Sequence, residues 1–371
     1  MVDVLVVGGG IAGVSAAAEL AARGRSVVLV EAEPQLAYHT TGRSAALYFE
    51  NYGHADVRGL SKASRRFFQS PPEGLADAPL LSPRGALSIA STSKLARIEQ
   101  WASDARVYGT QVEILDTSAA VAMVPALRPD AVAGAVLEPD AADMDVAGIH
   151  QAFVRMLRSH GGAIRTSAPV TGLVRRAGGW DVAAGGSTYA ADVIVNAAGA
   201  WCDAVAGAAD IDPVGLVPKR RTAFMVAAPA GSERWPLVAE VDHEFYFKPD
   251  GVQLLCSPAD ETPSAPCDAR PEEIDIALAI ERINRATSLD IRSIRSSWAG
   301  LRSFVSDGSM VIGFEPGVEG FFWLAGQGGT GIQTAPAAAR LAADLICDGV
   351  VSDELASFGV DPAALSPARF R

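Results

Sequence analysis

The stretch Val2-Asp3-Val4-Leu5-Val6-Val7-Gly8-Gly9-Gly10-Ile11-Ala12-Gly13, followed through to Ser26-Val27-Val28-Leu29-Val30-Glu31, decides the fold. Val2 to Val7 is a short apolar run of β-branched character and predicts a buried strand. Glycines punctuate it at once. Ile11 to Ala22 is rich in Ala and predicts a helix, closed by Arg23 and Gly24. Ser26 to Val30 predicts a second strand, ending at Glu31. Strand, glycine turn, helix and strand in this order open a βαβ unit. Gly8 permits the tight turn, Gly10 lets the backbone approach a pyrophosphate, and Gly13 lets the helix pack against the strand. The start of the helix, with Ile11 and Ala12, offers N–H groups and a positive dipole end to phosphates.

Glu31 stands where a carboxylate would hold a pair of ribose hydroxyls, with Ala32 beside it. Neither Arg nor Lys replaces it, which disfavours a 2′-phosphate. This motif alone does not separate FAD from NAD. Two later segments bear on that choice. Val193-Ile194-Val195-Asn196-Ala197-Ala198-Gly199-Ala200-Trp201 is a buried strand ending in small residues, against which a ligand could lie, although close packing in an α/β core asks for the same residues. Phe321 to Ile332 repeats the first loop: a strand ends at Ala325, Gly326, Gly328, Gly329 and Gly331 follow, and a helix begins. That helix start suits the electron-rich pyrimidine edge of a flavin, and an NAD enzyme would have no evident use for it.

The chain has 371 residues, enough for two domains, and 49% of them are apolar. A formal net charge of -12 argues against nucleic acid or an anionic membrane surface as partner, since both need clustered Lys and Arg. Cys202, Cys256, Cys267 and Cys347 form no C-x-x-C pair, and their spacing suggests neither a metal site nor a disulfide framework. A strand leads straight into the glycine loop where a signal peptide would carry a basic and then an apolar segment, and no apolar run is long enough to span a bilayer. A soluble, cytoplasmic protein is the expectation.

The fold class expected is α/β, with a Rossmann-type dinucleotide domain and a second, sheet-based substrate domain. Dinucleotide-type signals sit at the start, middle and end, with sheet-like stretches at Val217 to Ala228 and Phe245 to Pro258 between them. The nucleotide domain is therefore expected to be discontinuous, from 1–80, 145–215 and 298–371, with the substrate domain from 81–144 and 216–297. Pro271 to Ala286 predicts a helix with an N-terminal proline.

The Gly8 loop, Thr40-Thr41-Gly42-Arg43-Ser44-Ala45-Ala46, the Asn196-Ala-Ala-Gly-Ala-Trp strand and the Gln327 turn together resemble the D-amino acid oxidase family, which includes glycine oxidase and sarcosine oxidase. The likeness covers almost the whole chain. It runs strongest toward the bacterial D-arginine dehydrogenases, through Pro218-Lys-Arg-Arg, Tyr246-x-Lys-Pro-Asp and Trp298-Ala-Gly-Leu-Arg-Ser-Phe. It implies non-covalent FAD. It also implies oxidation of a D-amino acid by hydride transfer from Cα to flavin N5, giving an imino acid that hydrolyses to a 2-oxo acid and ammonia. Thr41, Gly42, Arg43, Ser44, Ala46, Val170, Gly300 and Thr330 join the cofactor-facing set on this basis. Arg221 and Arg302 match arginines that face the substrate carboxylate, Tyr246 a tyrosine bonded to the same group, Tyr52 an active-site loop tyrosine, and Gly329 a glycine whose carbonyl can accept from the substrate amine.

Three departures matter. The acid expected to hold a guanidinium falls at Ala86, a loop histidine falls at Leu47, and an aromatic of the glycine turn falls at Thr330. A side chain smaller or more apolar than that of D-arginine is the expected preference.

The residues alone leave more open. Lys219-Arg220-Arg221 also reads as a solvated charge run. Arg302 sits in an apolar strand, Ala299 to Val305, where an unpaired charge would be costly. Tyr246 alternates with Phe245 and Phe247 like an ordinary sheet aromatic. A guanidinium pair suits a carboxylate, and none of the five histidines is assigned a role. A sarcosine-like N-methyl amino acid oxidase and a 2-hydroxy acid dehydrogenase on the same fold stay open, as does a chain that binds FAD without turning over. The electron acceptor, O2 or a quinone, and the oligomeric state are not legible.

Overall fold

Val2–Val7 lies inside a mixed eight-stranded sheet, paired in parallel with Val27–Val30 and Ser187–Asn196, in a computed structural model that describes all residues, Met1–Arg371. Ala163–Arg165 extends the sheet beyond Val27–Val30, again in parallel. Ser187–Asn196 serves two partners besides Val2–Val7. Its first half pairs antiparallel with Gly179–Ala184, and its last residues pair in parallel with Phe321–Ala325. The burial of Val4 to Val7 and of all four residues of Val27–Val30 is what a strand covered on both faces requires. The helices Ile11–Ala22, Val146–Ser159 and Gly331–Cys347 pack on one face around a core that includes Val14, Leu20, Phe153 and Leu341. Small residues make this close packing possible: Ala16, Ala17 and Ala18 are fully buried.

A second eight-stranded sheet runs in the order Ser296–Phe304, Val217–Ala227, Gln253–Ser257, Tyr246–Asp250, Leu237–Glu240, Ala86–Ala90, Gly134–Glu138 and Glu113–Asp116. The ladder between Val217–Ala227 and Ser296–Phe304 is antiparallel and nine pairs long, from Val217↔Phe304 to Met225↔Ser296. The helix Glu273–Ala286 covers the face that carries Phe224, Phe247 and Leu254. Ser296–Phe304 belongs wholly to this sheet, so the domain boundary expected at 298 falls inside one of its strands. Pro271 lies before the helix rather than in its first turn, because Glu272 is the capping residue and the helix starts at Glu273.

Candidate active site

The glycine loop divides its labour. Gly8 has φ +109°, and a Cβ there would lie 2.4 Å from the Ala197 carbonyl oxygen. At Gly13 it would lie 1.8 Å from the Gly8 carbonyl oxygen, so this glycine closes helix against strand. A Cβ at Gly10 would meet only Thr41 Oγ1, at 3.3 Å, and one at Gly199 would meet nothing within 4 Å. Those two positions border open space. Thr41 Oγ1 accepts from the Ile11 N–H at 3.0 Å, capping one of the free donors at the helix start. Glu31 accepts from the N–H of Gly9 at 2.6 Å and from that of Glu33 at 2.9 Å. His150 donates from Nε2 to the Gly9 carbonyl at 3.0 Å, and burial holds its pKa down, so the ring stays neutral. Sequence reasoning assigned His150 nothing; a lone His within a helix gives no signal of a contact 141 residues away.

Three cavities run end to end. The first, about 390 Å³, is bordered by Gly8, Gly10, Glu31, Ala32, Val170, Ala198 and Trp201. The second, about 120 Å³, is bordered by Ile11, Ala12, Arg43, Gly300, Gly328 and Gly331. Thr41 and Gly199 border both. The third, about 360 Å³, holds Tyr52, Arg221, Tyr246, Arg302 and Gly329 together, and Ser44 and Ile332 border both it and the second. Glycines without Cβ along the walls, a carboxylate at one end and a helix start midway make a trough that fits an extended dinucleotide such as FAD. Three residues expected at the cofactor do not face these cavities. Gly13 is spent on helix packing. Gly42 turns its Cα toward the Ala37 carbonyl, which accepts its N–H at 3.0 Å. Thr330 is buried and donates its hydroxyl to the Gln327 carbonyl at 2.8 Å, capping the turn. Ala46 faces only the third cavity.

Strand alternation builds the third cavity. Lys219 and Arg221 project from one face of Val217–Ala227 and Arg220 from the other, where Asp260, Glu272 and Asp275 surround it. The charge run is thus split between two environments, neither of them a bare solvated face. Arg302 lies opposite Lys219 in the ladder, and so on the same face as Arg221. Arg302 donates from Nη1 to the Tyr52 hydroxyl at 3.3 Å. Burial acts against its charge, but Tyr52, Tyr246 and Glu261 outweigh it and raise the pKa. Burial, and then Arg302, lower that of Arg221. Both guanidiniums stay charged at neutral pH. A Cβ at Gly329 would lie 2.8 Å from Arg302 Nη1 and 2.9 Å from the Tyr52 hydroxyl oxygen, so a side chain there would displace both groups.

Beyond the arginines the wall is largely apolar, with Leu47, Ala86, Trp101, Met144, Leu237 and Ala239. Glu261 supplies the carboxylate in this lining, and it pairs with Arg221. Neither Glu261 nor His243, which meets Tyr52 edge-on at 6.3 Å, belongs to a motif, and both reach the cavity through loops. Cys202 and Cys256 are buried, and burial pushes both thiols well above their ordinary range, leaving them protonated. No group of three His, Cys, Asp or Glu is placed to hold a metal, and no helix is long and apolar enough to cross a membrane.

The family model for FAD dependent oxidoreductases, DAO, matches residues 3–345. Glycine oxidase from Geobacillus kaustophilus is 26% identical over 383 residues, covering 96% of this chain and 96% of its own. Human mitochondrial sarcosine dehydrogenase is 25% identical over 351 residues, covering 89% of this chain but only 38% of its own length. L-proline dehydrogenase from P. horikoshii superposes with a TM-score of 0.87 at 20% identity, over 99% of this chain and 97% of that one. The glycine oxidase structure from G. kaustophilus gives the same TM-score, 0.87, at 23% identity, over 99% and 98%. These two superpositions show a shared fold.

Proposed function

Because the chain belongs to the DAO family of FAD-dependent oxidoreductases, we propose that it oxidises a D-amino acid of small or apolar side chain to the imino acid, which water converts to a 2-oxo acid and ammonia. One observation carries the reading: Arg221 and Arg302, far apart in sequence, face one cavity that opens onto the dinucleotide trough.

FAD, when bound, supplies the two-electron acceptor. Glu31, Gly10 and Gly199 would hold its nucleotide end and the Gly328–Ile332 turn its ring end. The rest falls to the chain. Arg221 and Arg302 orient the substrate carboxylate and compensate its charge, and a fork of N–H donors matches that group. Tyr246 and Tyr52 supply hydroxyls beside the arginines. The Gly329 carbonyl can accept from the substrate nitrogen, which reacts as the neutral amine: its lone pair forms the C=N bond as the Cα hydrogen departs with its electrons. No side-chain base is needed for that step. The apolar wall at Ala86, Trp101 and Met144 limits water and offers nothing to a cationic side chain.

The relation to sarcosine dehydrogenase supports a second reading, an N-methyl amino acid as substrate on the same carboxylate clamp. Product analysis after turnover separates the two. Ammonia with a 2-oxo acid is expected from D-alanine or D-phenylalanine. Methylamine or formaldehyde from sarcosine, with no product from any D-amino acid, would replace the first reading by the second.

A further inference from the structure

Arg221 is the cation of the third cavity that already has a carboxylate partner, and the partner comes from a loop outside every motif. The strand Gln253–Ser257 ends, and the chain runs back along Val217–Ala227 before the helix Glu273–Ala286. This return is held by backbone bonds: the Arg220 N–H donates to the Thr262 carbonyl at 2.8 Å and the Ser264 N–H to the Pro218 carbonyl at 2.9 Å. Asp260 fixes the bend by accepting from the Thr222 N–H at 2.6 Å and the Thr222 hydroxyl at 3.1 Å. Between these anchors the loop meets one edge of the Arg221 guanidinium with two acceptors. The Asp260 carbonyl takes Nε at 2.8 Å, and Glu261 Oε1 takes Nη2 at 3.0 Å. Glu261 Oε2 is itself held by Lys219 Nζ at 3.1 Å.

A guanidinium presents two edges able to grip a carboxylate, Nε with Nη2 and Nη1 with Nη2. The loop occupies the first, which leaves the second for an incoming carboxylate. Lys219, Arg221 and Arg302 crowd one face of the ladder, and Arg302 acts on Arg221 as a like charge. Without Glu261, repulsion would drive the Arg221 head away from Arg302 and into other rotamers. We infer that Glu261 is a positioning residue, which bridges Lys219 and Arg221 and turns the free edge of the Arg221 guanidinium toward the substrate carboxylate. The assignment rests on the carboxylate clamp proposed above. It places a determinant of affinity in a loop that lies outside the glycine motifs in sequence.

The test uses FAD-loaded enzyme and propionate, a carboxylate without an amine to oxidise. Its Kd is read by calorimetry and by the perturbation of the flavin absorbance. Glu261→Ala should weaken propionate about tenfold, the scale of one lost charge-assisted contact, and raise KM for the amino acid by more than it lowers kcat. Glu261→Gln keeps an oxygen that can accept from Nη2 and should recover most of that loss. Tighter or unchanged binding in Glu261→Ala would overturn the assignment, because Glu261 would then compete for Arg221 or be idle. A Gln variant as weak as Ala would also overturn it. Arg221→Met separates the two levels. If it binds propionate as the parent does, the clamp falls and the Glu261 role with it. If it loses propionate while Glu261→Ala does not, only the Glu261 role falls.

Discussion

Single side chains set what the site can accept. Ala86 faces the far end of the third cavity, where a carboxylate would be needed to hold a cationic side chain. Ala86→Glu should therefore raise kcat/KM for D-arginine at least tenfold, while lowering that for an apolar D-amino acid; steady-state comparison of the two substrates checks it. Arg302→Met should cost about 3 kcal/mol or more in kcat/KM, on the order of a hundredfold, since it removes half of the proposed clamp. Glu138 behaves differently. It is 2% exposed, accepts from the Glu50 N–H at 3.2 Å, has one oxygen without a partner, and burial raises its pKa from 4.5 to about 7. A carboxyl whose folded pKa is raised favours the fold while protonated. Its contribution is full below 4.5 and is lost as pH rises through about 7. Glu138→Gln, neutral throughout, should be more stable than the parent by up to ~3 kcal/mol at pH 8, with the gap closing toward pH 4, as denaturant titration at both pH values would show. The roles of Glu138, Glu261 and His150 could not be read from sequence, because each acts on a partner brought near only by the fold.

At the scale of elements, legibility followed locality. Ile11–Ala22 forms as its own residues predict, and Thr117–Met123 is likewise set by its own residues, because helical periodicity and capping are local. Asp116, for example, accepts from the Ala119 N–H as the helix cap. Gly134–Glu138, Gly179–Ala184 and Leu237–Glu240 were not individually foreseen; short strands owe their state to the neighbour they pair with. The same reason made Lys219-Arg220-Arg221 ambiguous until the ladder fixed which way each residue points. The first strand–helix turn makes a prediction of its own. Gly8→Ala places a methyl against the Ala197 carbonyl at a φ of +109°, which pushes the two strands apart beneath the pyrophosphate position. The variant should purify with FAD content well below one per chain, measured from the flavin absorbance after denaturation.

For the whole molecule, two sheets of different character meet at the site. The first sheet supplies the trough through its glycine turns, and the second supplies the arginines through one long antiparallel ladder. The sequence carried the first contribution in three motifs. It carried the second only through resemblance, because a cavity between sheets has no signature along the chain. The central claim is that one trough places FAD beside a carboxylate clamp. It is tested most directly by mixing the purified protein anaerobically with D-alanine, D-phenylalanine or D-arginine and following the flavin absorbance. A yellow protein that bleaches with the first two and far more slowly with D-arginine is the predicted result. A colourless protein that takes up no FAD, or a holoprotein that keeps its colour against every D-amino acid, would contradict it.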